Sequence, residues 1–258
     1  MTNQQFQAFL TDFFYSPQGQ ALLKEEQAII DRTLSQVFGL YLVQLGRICE
    51  EDLLVNSRVT NKVLVDDCLP SVANKCFIQA DIDYLPIKAD SIDVFVLPHT
   101  LESVIDPYHL LRQVDQMLIP EGHLLITGFN PLGCRTISNR LQNTQGGFKQ
   151  AHLIRVHRLV DWLSLLGYDI ELITYSSASC FSQKPAGRWL QSIEQGLGRA
   201  GLHFGNLYAI LAKKRIFSPT PVGLNWRLKN WLTVSKGQRP VATSRSHKQS
   251  RQALKDKN

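Results

Sequence analysis

The chain has 258 residues, enough to bury one good-sized core, and its 44% hydrophobic and 19% charged residues are ordinary for a soluble globular protein. It has no run of about 18 apolar residues, and the start, MTNQQFQAFLTDFF, lacks the basic flank and apolar stretch of a signal peptide, so a cytoplasmic protein is expected. The net charge of +6 is unevenly spread: residues 213–258 hold twelve Lys/Arg against one acidic residue, Asp256, which leaves a mildly acidic body.

The first forty residues read as helical. FQAFLTDFFYS has helical apolar spacing, S-P-Q-G breaks it, and the next segment resumes with Leu22, Leu23, Ile29, Ile30, Leu34, Val37 and Phe38. The period then shortens. Strands are expected at 41–45, 62–67, 76–81, 91–98 and 123–129, with two more at 169–176 and 206–214. Near-continuous apolar strands alternating with helices predict an α/β fold: a Rossmann-like, open, mostly parallel seven-stranded sheet with helices on both faces.

Between the fourth and fifth strands, DPYHLLRQVDQMLIPEG predicts a helix with Asp106 as N-cap and Pro107 at N1. Leu110, Leu111, Val114, Met117 and Leu118 form its stripe, and Pro120 to Gly122 end it. AHLIRVHRLVDWLSLLG predicts a second helix stopped at Gly167, with Leu153, Ile154, Leu159, Val160, Leu163 and Leu166 apolar. A short amphipathic piece, RWLQSIEQGL, follows. Leu224, Leu228, Trp231 and Leu232 then mark a helix that either packs on the body or lies at an interface. The remainder, with few large apolar residues, is expected to be disordered; it serves solubility, or binds RNA or an anionic membrane surface. The organisation is therefore 1–39 N-terminal helices, 40–215 main domain, and 216–258 basic tail.

The five cysteines (Cys49, Cys68, Cys76, Cys134, Cys180) are odd in number and scattered, with no C-x-x-C pair, and read as reduced thiols; no metal is expected.

Residues 78–131 carry the specific signal. Asp81, then Leu85-Pro86, Asp90-Ser91-Ile92-Asp93, Asp106-Pro107, Pro120-Glu121-Gly122 and the ending G-F-N-P stand in the order of a known pattern. The stretch resembles the second half of a class I S-adenosylmethionine-dependent methyltransferase domain of the type-11 kind. The resemblance implies S-adenosylmethionine as cofactor and methyl transfer to an unidentified oxygen, nitrogen or carbon acceptor. It further implies that Asp81 accepts from the adenine amino group and Ile82 contacts the ring. Pro98 and His99, at the far end of the fourth strand, would line the pocket. His99 has a near-neutral ordinary pKa suited to a general base, but many methyl transfers need only alignment, and no residue is singled out as catalytic. Asp93 matches an acidic residue with a structural role. The resemblance also makes the N-terminal helices part of a lid over the crevice.

The front half departs from the family. Its first strand ends in an acidic residue, a hydrophobic and G-x-G-x-G; here those positions fall on Gln44, Leu45, Gly46, Ile48 and Glu50, so only Gly46 remains. Ile48 and Glu50 should crowd the methionine end of the pocket. The distance from Gly46 to Asp81 is shorter than usual, which predicts a clipped helix after the second strand. Asp66 and Asp67 end that strand where a ribose-binding carboxylate would sit. The alternative to an active enzyme is a catalytically degenerate domain that acts as a binding or scaffold module, for RNA or another polyanion, through the tail.

Overall fold

The computed structural model describes residues 4–49, 52–68, 76–133, 136–137, 151–176 and 205–215. Cys134, Cys180, Glu50, the RWLQSIEQGL piece, the helix expected around 224–232 and the basic tail lie outside these residues.

Seven strands form one sheet in the order β3-β2-β1-β4-β5-β7-β6. They are β1 Tyr41–Leu45, β2 Asn61–Asp66, β3 Cys76–Gln79, β4 Ile92–Pro98, β5 Leu118–Phe129, β6 Tyr168–Tyr175 and β7 Leu207–Lys214. Strands β1 to β5 run parallel, and β7 is inserted antiparallel between β5 and β6. The strand order reverses at β1 and β4, so the carboxyl ends of β1 and β4 flank the crevice where such sheets take ligands.

The two faces of the sheet bury alternate residues of the same strands. On one face Val43, Leu45, Phe95, Leu97, Leu124, Ile126 and Ile210 pack under two helices, α4 (Pro107–Met117) and α5 (Val156–Leu165), which supply Leu110, Leu111, Val114, Leu159 and Leu163. Helix α4 starts as its sequence predicts: Asp106 accepts a hydrogen bond from the His109 amide at 3.0 Å, and Pro107 follows. It stops at Met117, sooner than expected. Ile92 pairs with Leu118 and Val94 with His123, so 119–122 bulge out of the ladder. Glu121 holds φ 63 there, a left-handed value that favours glycine. Helix α5 also starts later than its apolar spacing suggested, because Leu153 and Ile154 precede it and pack on opposite faces of the sheet.

On the other face Leu42, Val94, Val96, Leu125, Ala209 and Leu211 meet the two N-terminal helices, α1 (Gln4–Tyr15) and α2 (Pro17–Leu34). Ser16 caps α2 by accepting from the Gly19 amide at 3.1 Å, and Pro17 starts that helix. Phe6, Leu10, Phe14, Leu22, Leu23, Ile30 and Leu34 are buried, whereas Phe38 is exposed. The described residues of 46–60 contain turns and no helix. Helices α1 and α2 thus cover apolar surface that a helix after β1 would otherwise cover. They complete the core on this face of the sheet.

Candidate functional site

Strand β1 turns out of the sheet at Gly46, whose φ is 76. Its amide donates to the Val65 carbonyl at 2.8 Å, and an added Cβ would lie 3.2 Å from Thr100 Oγ1. The surviving glycine is therefore required by the turn itself. Gln44, in the place of an acidic residue, is buried and donates to the Gly46 carbonyl at 2.9 Å.

Beyond this turn lies a cavity of about 480 Å³, within the roughly 300–1,000 Å³ typical of small-molecule pockets. Arg47, Ile48, Cys49, Asp66 and Cys68 line it from the strand ends, and Gln7, Ala8, Thr11 and Tyr15 of α1 line it from above. Arg47 Nε lies 3.3 Å from Asp66 Oδ2, with both side chains largely buried. Burial and a hydrogen bond to Asp67 push the Asp66 carboxyl up to about 6, against the pull of Arg47. A hydrogen bond of its own to Asp67 raises the Cys68 thiol. Asp67 Oδ1 is buried with no hydrogen-bond partner, an acceptor that a bound hydroxyl could satisfy.

Ile48 is among the residues that line this cavity. It is 1% exposed and packs into the core beneath α1 and α2.

The resemblance-based residues divide. Asp81 is exposed just past β3, its Oδ1 accepting from the Asp83 amide at 3.0 Å in a local turn. Ile82 beside it is fully buried in the core under α4 and α5. Asp93 accepts from the Leu40 and Tyr41 amides and fixes the start of β1. Pro98 ends β4, buried, and His99 follows it in the left-handed region at φ 54.

His99 is enclosed by charge and aromatic rings and presents no open nitrogen to the crevice. Its Nδ1 lies 2.7 Å from Glu102 Oε2 and its Nε2 3.4 Å from Glu26 Oε2 of α2, all three side chains being almost wholly buried. The rings of Phe14 and Phe129 lie 5.6 and 4.2 Å from its own. Each carboxylate is also bonded elsewhere: Thr127 Oγ1 donates to Glu26 at 2.6 Å, and the Phe129 amide donates to Glu102 at 2.6 Å. Burial alone would lower the His99 pKa, but Glu26 and then Glu102 outweigh it and hold the imidazole up to about 10. Burial raises the Glu102 carboxyl, and it raises the Tyr208 phenol well above its ordinary value.

Neither Glu26 nor the Arg47–Asp66 pair is visible in sequence as a site, since no local spacing links Glu26 to Thr127 or Arg47 to Asp66. Glu102 is three residues from His99 on a short helix, α3 (Thr100–Ser103), and that spacing was a usable signal. Among the described residues no group of three or more His, Cys, Asp or Glu is placed to hold a metal ion, and no helix is long and apolar enough to cross a membrane.

Residues 51–126 match the model of a methyltransferase domain. The Escherichia coli (strain K12) protein YafS is 31% identical over 157 residues, 60% of this chain and 63% of its own length, so the chain spans less than two thirds of that relative. An Archaeoglobus fulgidus S-adenosylmethionine-dependent methyltransferase superposes with a TM-score of 0.57 at 17% identity, covering 80% of this chain and 98% of its own. A Thermotoga maritima S-adenosylmethionine-dependent methyltransferase gives 0.56 at 16% identity, covering 83% and 98%. The fold is that of the class I methyltransferases.

Proposed function

We propose that this chain, a protein of the class I methyltransferase fold, binds S-adenosylmethionine in the cavity at the ends of β1 and β2 and transfers its methyl group to an acceptor. The observation that carries the reading is that cavity with its carboxylates: Asp66 lines it and Asp67 beside it has a buried acceptor without a donor. An adenosyl ribose brings two hydroxyl donors, which fit those acceptors. When bound, the cofactor supplies an electrophilic methyl group on a sulfonium.

The chain's own residues bind and orient. Asp66 and Asp67 hold the ribose, and Asp81, exposed beyond β3, accepts from the adenine amino group. Gly46 shapes the loop under the ligand, with Pro98 at the neighbouring strand end. Ile82 and His99, both enclosed, support the site from behind. Gln7, Ala8, Thr11 and Tyr15 of α1 close the cavity from above and exclude water, which strengthens each polar contact inside. An aligned acceptor needs no further group if its nucleophile is already activated. The reaction is placed in the cytoplasm, with the basic tail as a contact for RNA or another polyanion.

Binding of the demethylated product S-adenosylhomocysteine tests this directly. At about 100 times its dissociation constant, a ligand specific for the native state stabilises by roughly 2.7 kcal/mol. For a domain of this size the melting midpoint should rise by roughly 5–10 °C. Asp81→Ala should lose most of that rise. A well-folded wild type with no shift at millimolar ligand would overturn the proposal.

A further inference from the structure

Past β3 the chain leaves the sheet at Ala80, whose amide donates to the Asp66 carbonyl at 3.1 Å, and Asp81 opens a turn. Within it the Tyr84 amide donates to the Asp81 carbonyl and the Asp83 amide to Asp81 Oδ1, both at 3.0 Å. These local contacts shape the turn without placing it on the domain. Ile82 pins it at one point, fully buried under α4 and α5. Gln113 of α4 holds it at two more: its Oε1 accepts from the Leu85 amide at 3.3 Å, and its Nε2 donates to the Asp83 carbonyl. The second N–H of that amide faces His109 Nε2 at 2.8 Å, an acceptor in the tautomer with its proton on Nδ1. A side-chain amide has one acceptor end and one donor end, which is what an N–H and a carbonyl two residues apart require. A glutamate at this position would set its charge against the Asp83 carbonyl.

We infer that Gln113 is a positioning residue for adenine recognition: by clamping the Asp83 carbonyl and the Leu85 amide, it holds Asp81 where its carboxylate accepts from the amino group. This rests on the cofactor reading above. Ile82 alone would leave the turn free to rotate about one buried point. The bonds at 83 and 85 add the two points that fix its orientation, and the bond from the Asp83 amide carries that orientation to the Asp81 carboxylate. Asp81 is exposed, so water competes for its oxygens. Its contribution to binding then depends on direction, which a hydrogen bond loses steeply as its angle opens, and on being held in place before the ligand arrives. Gln113 acts through Asp81 and not on the ligand.

Calorimetric titration with two ligands isolates the effect. S-adenosylhomocysteine carries the adenine amino group, and S-inosylhomocysteine has a carbonyl oxygen in its place and is otherwise the same. Wild type should bind S-adenosylhomocysteine about 10–100-fold more tightly, the range of a hydrogen bond to a charged group. Gln113→Ala should lose most of that preference by weakening S-adenosylhomocysteine alone. Gln113→Glu, nearly the same size, keeps the acceptor for the Leu85 amide but lacks the donor for Asp83, and should lose part of it. If Gln113→Ala fails to fold, the ratio for Gln113→Glu decides. A wild-type preference kept by the folded variants would overturn the inference. So would an equal weakening of both ligands, which would mark a general effect on the fold. Equal binding of the two ligands by wild type would remove Asp81 as the adenine partner, and this inference with it. If well-folded wild type binds neither, the cofactor reading itself fails.

Discussion

His99 is the residue whose removal should reveal most about how the N-terminal helices are held. Replacing it with alanine leaves Glu26 and Glu102 buried and facing each other, each still bonded to Thr127 or to the Phe129 amide. Breaking a buried ionic group by removing one partner costs about 3–5 kcal/mol. At roughly 2–4 °C per kcal/mol, the melting midpoint at neutral pH should fall by about 6–20 °C. Glu102, already raised above its ordinary 4.5 by burial, can take up a proton in the variant, which favours the lower half of that range.

The pH dependence fixes the sign. The folded pKa of His99, about 10, exceeds its ordinary 6.5, so the native state holds this proton more tightly than the unfolded chain. Its contribution is complete below 6.5 and is lost as pH rises through 10. The difference between wild type and His99→Ala should therefore be large at pH 7 and narrow towards pH 10. Urea melts at fixed pH values between 6 and 10 would read it, with circular dichroism confirming that each variant is folded. A cost under about 1 kcal/mol at neutral pH, or a difference that stays constant across that range, would refute the reasoning.

Gly46→Ala places a Cβ 3.2 Å from Thr100 Oγ1 at φ 76, and should cost about 1–2 kcal/mol in a thermal melt for the left-handed backbone. Removing residues 236–258 should leave the midpoint unchanged but weaken heparin retention at low salt, since exposed charge contacts are screened; equal retention of both forms would leave the tail without a polyanion role.

The sheet was legible because its strands are long apolar runs whose period differs from that of the helices between them. Six came within two residues of their observed bounds, and β5 starts five residues earlier than expected, at Leu118. The largest boundary error had a physical cause: Leu118 continues the apolar stripe of α4 but pairs with Ile92, so the helix ends before Pro120. The site was less legible. Asp66 was flagged by its place at a strand end, whereas its pairing with Arg47 depends on how the β1 turn directs a side chain across to β2. His99 was flagged by position and chemistry, yet what surrounds it is set by Glu26, which α2 brings from the start of the chain.

Ile48 and the N-terminal helices belong to one packing unit. A glycine at position 48 would remove one apolar side chain from the cluster that α1 and α2 share with the sheet. Isoleucine there is 1% exposed, buried in one cluster with Phe6, Leu10, Phe14, Leu53, Leu54 and Val59. Full burial of such a side chain contributes about 1.5–3 kcal/mol. Ile48 is thus a hydrophobic attachment for α1, whose Gln7, Ala8, Thr11 and Tyr15 line the cavity. With Ile48 turned into the core, Arg47 is left facing the cavity beside Asp66.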